Sequence, residues 1–186
     1  MKTKNIKEVI KNHFFINPII KMRVRQIERE LKLSLPSVIR YCDELYNEGI
    51  LKKEKISNVV LFSADRTSKH FLLEKKLYNI KNIYKSGLID YLINELSNPI
   101  IIVFGSYSKG EDIENSDIDL YIETPSKREI KVEKFEKNLK RNIQFFVHSD
   151  IKQINNPNLM NNILNGVILN GFLEVFKWRK LHGMIV

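Results

Sequence analysis

Residues 99–124, PIIIVFGSYSKGEDIENSDIDLYIET, narrow the folding options of this chain more than any other stretch. Pro99 opens an apolar run from Ile100 to Phe104 whose β-branched side chains predict a buried strand. The run stops at Gly105-Ser106, an acidic polar loop follows, and a second strand is predicted from about Asp117 to Glu123. Side chains alternate along a strand, so Asp117 and Asp119 share one face while Ile118 and Leu120 share the other. Two carboxylates about 7 Å apart by strand rise are close enough to share hard cations. Glycine before serine lets the backbone approach a ligand, and a helix starting after Ser106 would aim free amides at a phosphate.

The pieces downstream suit an α/β (α+β) mixed sheet flanked by helices. A charged amphipathic helix is predicted over Lys127 to Lys140, with Ile130, Val132, Phe135 and Leu139 on its apolar side. A strand from Asn142 to His148 follows, then a helix to about Leu164, a turn at Asn165-Gly166 and a short strand from Val167 to Leu169. Trp178 and its basic neighbours are expected to cover the surface.

Gly105-Ser106, ten residues, then Asp117-Ile118-Asp119 closely resembles the signature of the DNA polymerase beta-like nucleotidyltransferase superfamily, and above all its small prokaryotic members, the minimal nucleotidyltransferases. Gly110 and Ser116 match that group's GSxxxGxxxxxSDIDL form, and Lys109 stands where a basic residue is common. The resemblance implies a nucleoside triphosphate as substrate and magnesium, two ions, held by catalytic Asp117 and Asp119. It also implies phosphate contacts from Gly105 and Ser106, with Lys109 and Ser116 as further nucleotide-binding positions. In the resembling enzymes a third carboxylate comes from the strand after the amphipathic helix. Here that place is read as Gln144, a neutral amide that coordinates weakly and cannot act as a general base. Asp150 lies beyond the strand and Glu123 sits further along the sheet, so both are poor substitutes.

Upstream, helices are predicted over Ile6 to Ile16, Arg23 to Leu31, and from an N-cap at Ser34 to about Asn47, with Pro36 in the first turn and Gly49 left-handed at the end. Extended runs at Ile50 to Lys55 and Val59 to Ser63 are spaced for a hairpin. The stretch RQIERELKLSLPSVIRYCDELYNEGILKKEK resembles the winged helix-turn-helix of microbial transcription regulators. That resemblance implies DNA contact by Ser37, Arg40 and Tyr41 on the third helix, with Lys52, Lys53 and Lys55 on the wing near phosphates. Ile39 departs from the pattern, falling where a polar reading residue is more usual.

Length and charge accord with two modest units. A chain of 186 residues that is 43% hydrophobic can bury one good core or two small ones. The division expected is a winged helix-turn-helix at 1–65, connecting helices at 66–98, including a long one over Thr67 to Lys85, and a nucleotidyltransferase-like domain at 99–186. Residues 1–63 hold 13 Lys and Arg against 7 Asp and Glu, whereas residues 99–150 hold 8 against 10. This asymmetry places phosphate-backbone contact at the N-terminal end and cation binding at the other. The longest apolar stretch is too short to cross a bilayer, no charged-then-apolar leader opens the chain, and the cytoplasm is the expected compartment. Cys42 falls on the apolar side of a helix and is expected to be buried and inert. His13, His70, His148 and His182 lie far apart in sequence and lack ligand spacing, so no zinc site is expected.

Two functions are compatible with these residues. The first is transfer of a nucleoside monophosphate to an acceptor hydroxyl on a protein or nucleic acid. Minimal nucleotidyltransferases often act as antitoxins that adenylylate a partner toxin, which implies ATP as donor and a tyrosine hydroxyl on a toxin protein as acceptor. The second is a DNA-binding regulator or antitoxin whose nucleotidyltransferase-like domain binds nucleotide or dimerises without turnover. A homodimer is an expectation from the winged-helix resemblance alone.

Overall fold

A computed structural model describes residues 5–174. Helices α1 (Ile6–Ile16), α2 (Val24–Leu31) and α3 (Leu35–Asn47) are followed by an antiparallel hairpin of β1 (Leu51–Ile56) and β2 (Val59–Ala64). The Asn5 side chain caps α1 by accepting from the Glu8 amide, and Asn17 ends it. Ser34 stands at the N-cap of α3, but its hydroxyl bonds the Ser37 hydroxyl at 2.7 Å and leaves the backbone amides uncapped. Ile10, Phe14, Ile27, Val38, Leu45 and Phe62 form the core of this helical region. A bridge between Met22 and Phe62 ties the α1–α2 connection to the hairpin.

Helix α4 (Lys69–Lys85) serves two cores. Its first half gives Phe71 to the N-terminal core, and its last turn gives Ile83 to the core beneath the larger sheet. Then come α5 (Leu88–Glu95), β3 (Ile100–Phe104), α6 (Gly105–Lys109), β4 (Ile118–Glu123), α7 (Glu133–Leu139), β5 (Ile143–His148), a 3-10 turn at Ile151–Gln153, α8 (Pro157–Leu164) and β6 (Val167–Asn170). The sheet order is β5-β4-β3-β6, with β3 antiparallel to both neighbours and β4 parallel to β5. This is a mixed α/β unit preceded by a helical region with a hairpin.

Strand alternation sorts the sheet into two faces. Ile101, Val103, Ile118, Leu120 and Ile122 face α5 and α7. Ile102, Phe104 and Tyr121 face the 3-10 turn and α8. Each fully buried aliphatic side chain contributes roughly 1.5–3 kcal/mol, so the first face anchors the sheet and the second has room for polar chemistry at its open end.

One predicted element is shorter than expected. The helix forecast over Lys127 to Lys140 forms only over Glu133–Leu139. Polar partners hold the chain before it in a non-helical path: the Arg128 amide donates to the Ser126 hydroxyl, and the Lys131 amide to the Tyr91 hydroxyl. Ile130 and Val132 still pack on the core, from an irregular segment instead of a helix. No helix among the described residues is long and apolar enough to cross a membrane. Trp178 and His182 lie outside the described residues.

Candidate functional site

The site is built where β3 hands over to α6. Gly105 adopts φ +70°, and a Cβ placed there would lie 2.4 Å from Oδ2 of Asp119. Phe104 and Asp119 are register partners, so the carboxylate is delivered by strand pairing to the glycine that opens α6. Any side chain at 105 displaces it. Gly110, with φ +77°, meets a different constraint: its Cβ would come 2.4 Å from the Leu72 carbonyl oxygen, so this glycine lets the end of α6 lie on the backbone of α4. The first glycine admits a carboxylate, and the second admits a helix.

Asp117, just before β4, is exposed, and Asp119 is half-buried. The Asn142 side chain donates to Asp117 Oδ1 at 3.2 Å. Burial, reinforced by the nearby Asp117 charge, holds the Asp119 carboxyl above the usual carboxylate range. Neither acid takes part in an ion pair among the described residues. In the parallel pairing of β4 with β5, Gln144 stands directly opposite Asp119, on the same face. Two hard oxygen donors with uncompensated charge fit a hard divalent cation. Among the described residues, no group of three or more His, Cys, Asp or Glu is placed to hold a metal ion.

The loop that leads into these acids is anchored by Asp112, a residue without a mark of its own in the sequence pattern. Asp112 is 1% exposed, and its Oδ1 lies 3.1 Å from the ammonium of Lys75, itself fully buried. Lys75 also donates to the Asp112 backbone carbonyl. Asn79 donates to Asp112 Oδ1 at 2.7 Å and to the Tyr107 carbonyl at 2.9 Å. Burial pushes the Lys75 ammonium below the usual lysine range, and the Asp112 charge opposes that shift. The signal was legible: Phe71, Lys75, Asn79 and Ile83 recur every fourth residue, so a lysine and an asparagine sit on the buried stripe of α4.

The remaining predicted positions are spread out. Ser106 is half-buried in the first turn of α6, while Lys109 is exposed at the other end of that short helix. The Ser116 hydroxyl accepts from the Ile113 amide at 2.9 Å and so closes the turn before Asp117. Glu123 accepts from the Tyr121 hydroxyl and the Ile151 amide, and Asp150 caps the 3-10 turn, so both carboxylates have structural partners away from Gly105. His148 stacks on Tyr121 at the strand end.

In the N-terminal region, Arg40 lies over the Tyr41 ring, 4.3 Å from its centroid, and pairs with Glu44. Ser37 and Tyr41 are half-buried. Lys53 is held by Asp43 at 2.6 Å and lies over the Tyr46 ring. Lys52 and Lys55 are exposed, but by strand alternation they point to opposite faces of β1. Lys52 and Lys55 therefore do not share one face of the hairpin. Cys42 is buried, and that burial pushes its thiol up to about 12.

Residues 86–171 match the family described as Polymerase beta, Nucleotidyltransferase. This segment is a polymerase beta-like nucleotidyltransferase domain. It begins at the turn into α5 and ends after β6, and so contains the whole four-stranded sheet, Gly105, Asp117, Asp119 and Gln144. Membership suggests nucleotidyl transfer from a nucleoside triphosphate, with magnesium as the usual ion of the family. No curated protein and no solved structure matches the chain.

Proposed function

We propose that the protein transfers a nucleoside monophosphate from a nucleoside triphosphate to an acceptor hydroxyl, with Asp117 and Asp119 as the acids that hold magnesium. The observation that carries this reading is the seat of Asp119 against Gly105, a carboxylate with no ion-pair partner among the described residues at the residue that opens α6. When bound, magnesium supplies charge neutralisation for the triphosphate and the pyrophosphate leaving group. The residues of the chain orient and select. Amides at Gly105 and Ser106 face the phosphates, Asn142 steadies Asp117 through its 3.2 Å hydrogen bond, and Gln144 offers a neutral oxygen beside Asp119. Ser116 acts by holding the turn, and Lys109 serves phosphate only at longer range.

With an amide at 144, no third carboxylate is available to take the proton of the acceptor. We therefore assign a slow reaction, or one in which the acceptor brings its own base. The division we favour is a winged-helix unit at 1–65, connecting helices at 66–98 and the nucleotidyltransferase-like unit at 99–186. The N-terminal unit then positions the acceptor, either DNA or a partner protein such as a toxin. Three helices, a hairpin and the Met22–Phe62 bridge support that reading.

The test is magnesium-dependent transfer of label from α-labelled nucleoside triphosphates by the purified chain, beside the Asp117→Asn, Asp119→Asn double variant and Gln144→Glu. Transfer lost in the double variant and raised in Gln144→Glu is the expected outcome. No magnesium-dependent binding or transfer by the wild type sinks the enzyme reading and leaves a DNA-binding regulator.

A further inference from the structure

A cleft of about 370 Å³ opens where α1, α4 and the end of α7 converge, and neither Asp117 nor Asp119 lines it. Its volume lies within the roughly 300–1,000 Å³ of small-ligand pockets. The N-terminal region contributes Phe15 and Ile16, α4 contributes Tyr78, Asn82 and Lys85, and Lys140 and Arg141 close the far side. The charge is one-sided. Lys85, Lys140 and Arg141 face a single acid, Asp112, which Lys75 already neutralises.

Arg141 is the most informative of these residues. Its side chain is only 9% exposed. One terminal nitrogen donates to the Lys140 carbonyl at 3.0 Å; the other donates to the Ile16 carbonyl at 3.3 Å and stands 3.8 Å from Asp112 Oδ2. Its Nε is buried and has no hydrogen-bond partner among the described residues. A guanidinium N–H withheld from both water and an acceptor is costly, and the planar fork of arginine suits phosphate above other anions. The aromatic wall beside it, with Phe15 and Tyr78 ring centroids 5.4 Å apart, suits a flat ring. Asn82 and Asn138 supply amides able to meet the polar edge of a base.

We propose that this cleft is a second ligand site, adjoining the pocket of Asp117 through Lys140 and Arg141 but not lined by either carboxylate of the pair, which takes a small phosphate monoester bearing an aromatic base, of the nucleoside monophosphate class. Arg141, Lys140 and Lys85 receive the phosphate, and the ring lies against Tyr78 and Phe15. Because the walls come from both the helical region and the sheet unit, the ligand bridges the two.

The experiment is isothermal titration of the full chain with AMP in EDTA, using the wild type, the Asp117→Asn, Asp119→Asn variant, and a Lys85→Glu, Lys140→Glu variant. Both lysines are exposed, so their replacement leaves the core intact. The expected result is equal affinity in the first two proteins and at least a tenfold loss in the third, with adenosine and inorganic phosphate each at least tenfold weaker than AMP. Absence of AMP binding to the wild type overturns the proposal, as does binding that survives the lysine changes or vanishes with the aspartates. Phosphate binding as tightly as AMP refutes the aromatic half of the site. None of these readouts depends on nucleotidyl transfer, so this proposal and the catalytic reading fail separately.

Discussion

Asp112, in the loop before β4, and Asp119, near the start of β4, are close in sequence, yet their surroundings are opposite. Asp112 is sealed in the interior with an ammonium, an amide and a guanidinium around it. Asp119 is half-buried beside a second acid, with no cation paired to it among the described residues and a carboxyl held above its usual range. A buried acid whose charge is matched from within does structural work, because removing either partner strands the other. An acid whose charge the protein leaves unmatched costs stability in the isolated chain and is useful only when something from outside balances it. The contrast separates the anchor of this loop from its chemistry.

The sharpest way to break the contrast is to neutralise the unmatched pair. Asp117→Asn with Asp119→Asn should lower nucleotidyl transfer at least about a hundredfold, the scale expected when several kcal/mol of charge stabilisation is lost. The thermal midpoint measured in EDTA should hold or rise, since burial already disfavours the Asp119 charge. A large fall in midpoint would make these acids structural and erase the distinction.

The matched acid should respond the other way. Lys75→Met leaves the Asp112 carboxylate in the interior without its nearest cation and should cost roughly 3 kcal/mol in urea unfolding. Adding Asp112→Asn should recover much of that loss. A neutral Lys75→Met would show that the pair is not the anchor argued here.

A smaller effect is expected at the point where loop and carboxylate touch. Gly105→Ala puts a methyl 2.4 Å from Asp119 Oδ2 and forces a side chain into left-handed backbone. It should cost about 1–2 kcal/mol for the backbone alone and reduce transfer by moving the acid. Retained activity at wild-type stability would mean that Asp119 need not sit against this glycine.

The smallest effect tests the same idea in the N-terminal region. His13 is held below its ordinary value of 6.5 by burial, with Glu30 at 3.6 Å opposing, and its Nε2 has no hydrogen-bond partner among the described residues. The unfolded chain takes the proton first, so this contribution is complete above the unfolded value and is lost as pH falls through the folded one. Thermal midpoints should decline between about pH 7 and pH 5, and His13→Gln should flatten part of that decline.

Local pattern made much of this legible. The apolar run at Ile100–Phe104, the hairpin and the three N-terminal helices form within a residue or two of where periodicity puts them. The common face of Asp119 and Gln144 follows from strand alternation and register. Periodicity misled over Lys127–Val132, where side-chain hydrogen bonds and the Tyr91 hydroxyl compete with helix formation. It was also silent on Asp112, since one acid among several in a polar loop carries no mark of burial.

By itself the sequence determined the alternation that puts two acids on one strand face, the glycines at the two turns of the motif, and the neutral residue at 144. These are properties of neighbours along the chain, governed by backbone geometry and strand period. Only the tertiary structure decided which acid would be matched. That outcome depends on Lys75 and Asn79 of α4 and on Arg141 before β5 meeting the loop in space. The energy of a charge is set by what surrounds it, and for this loop the surroundings come from distant parts of the chain.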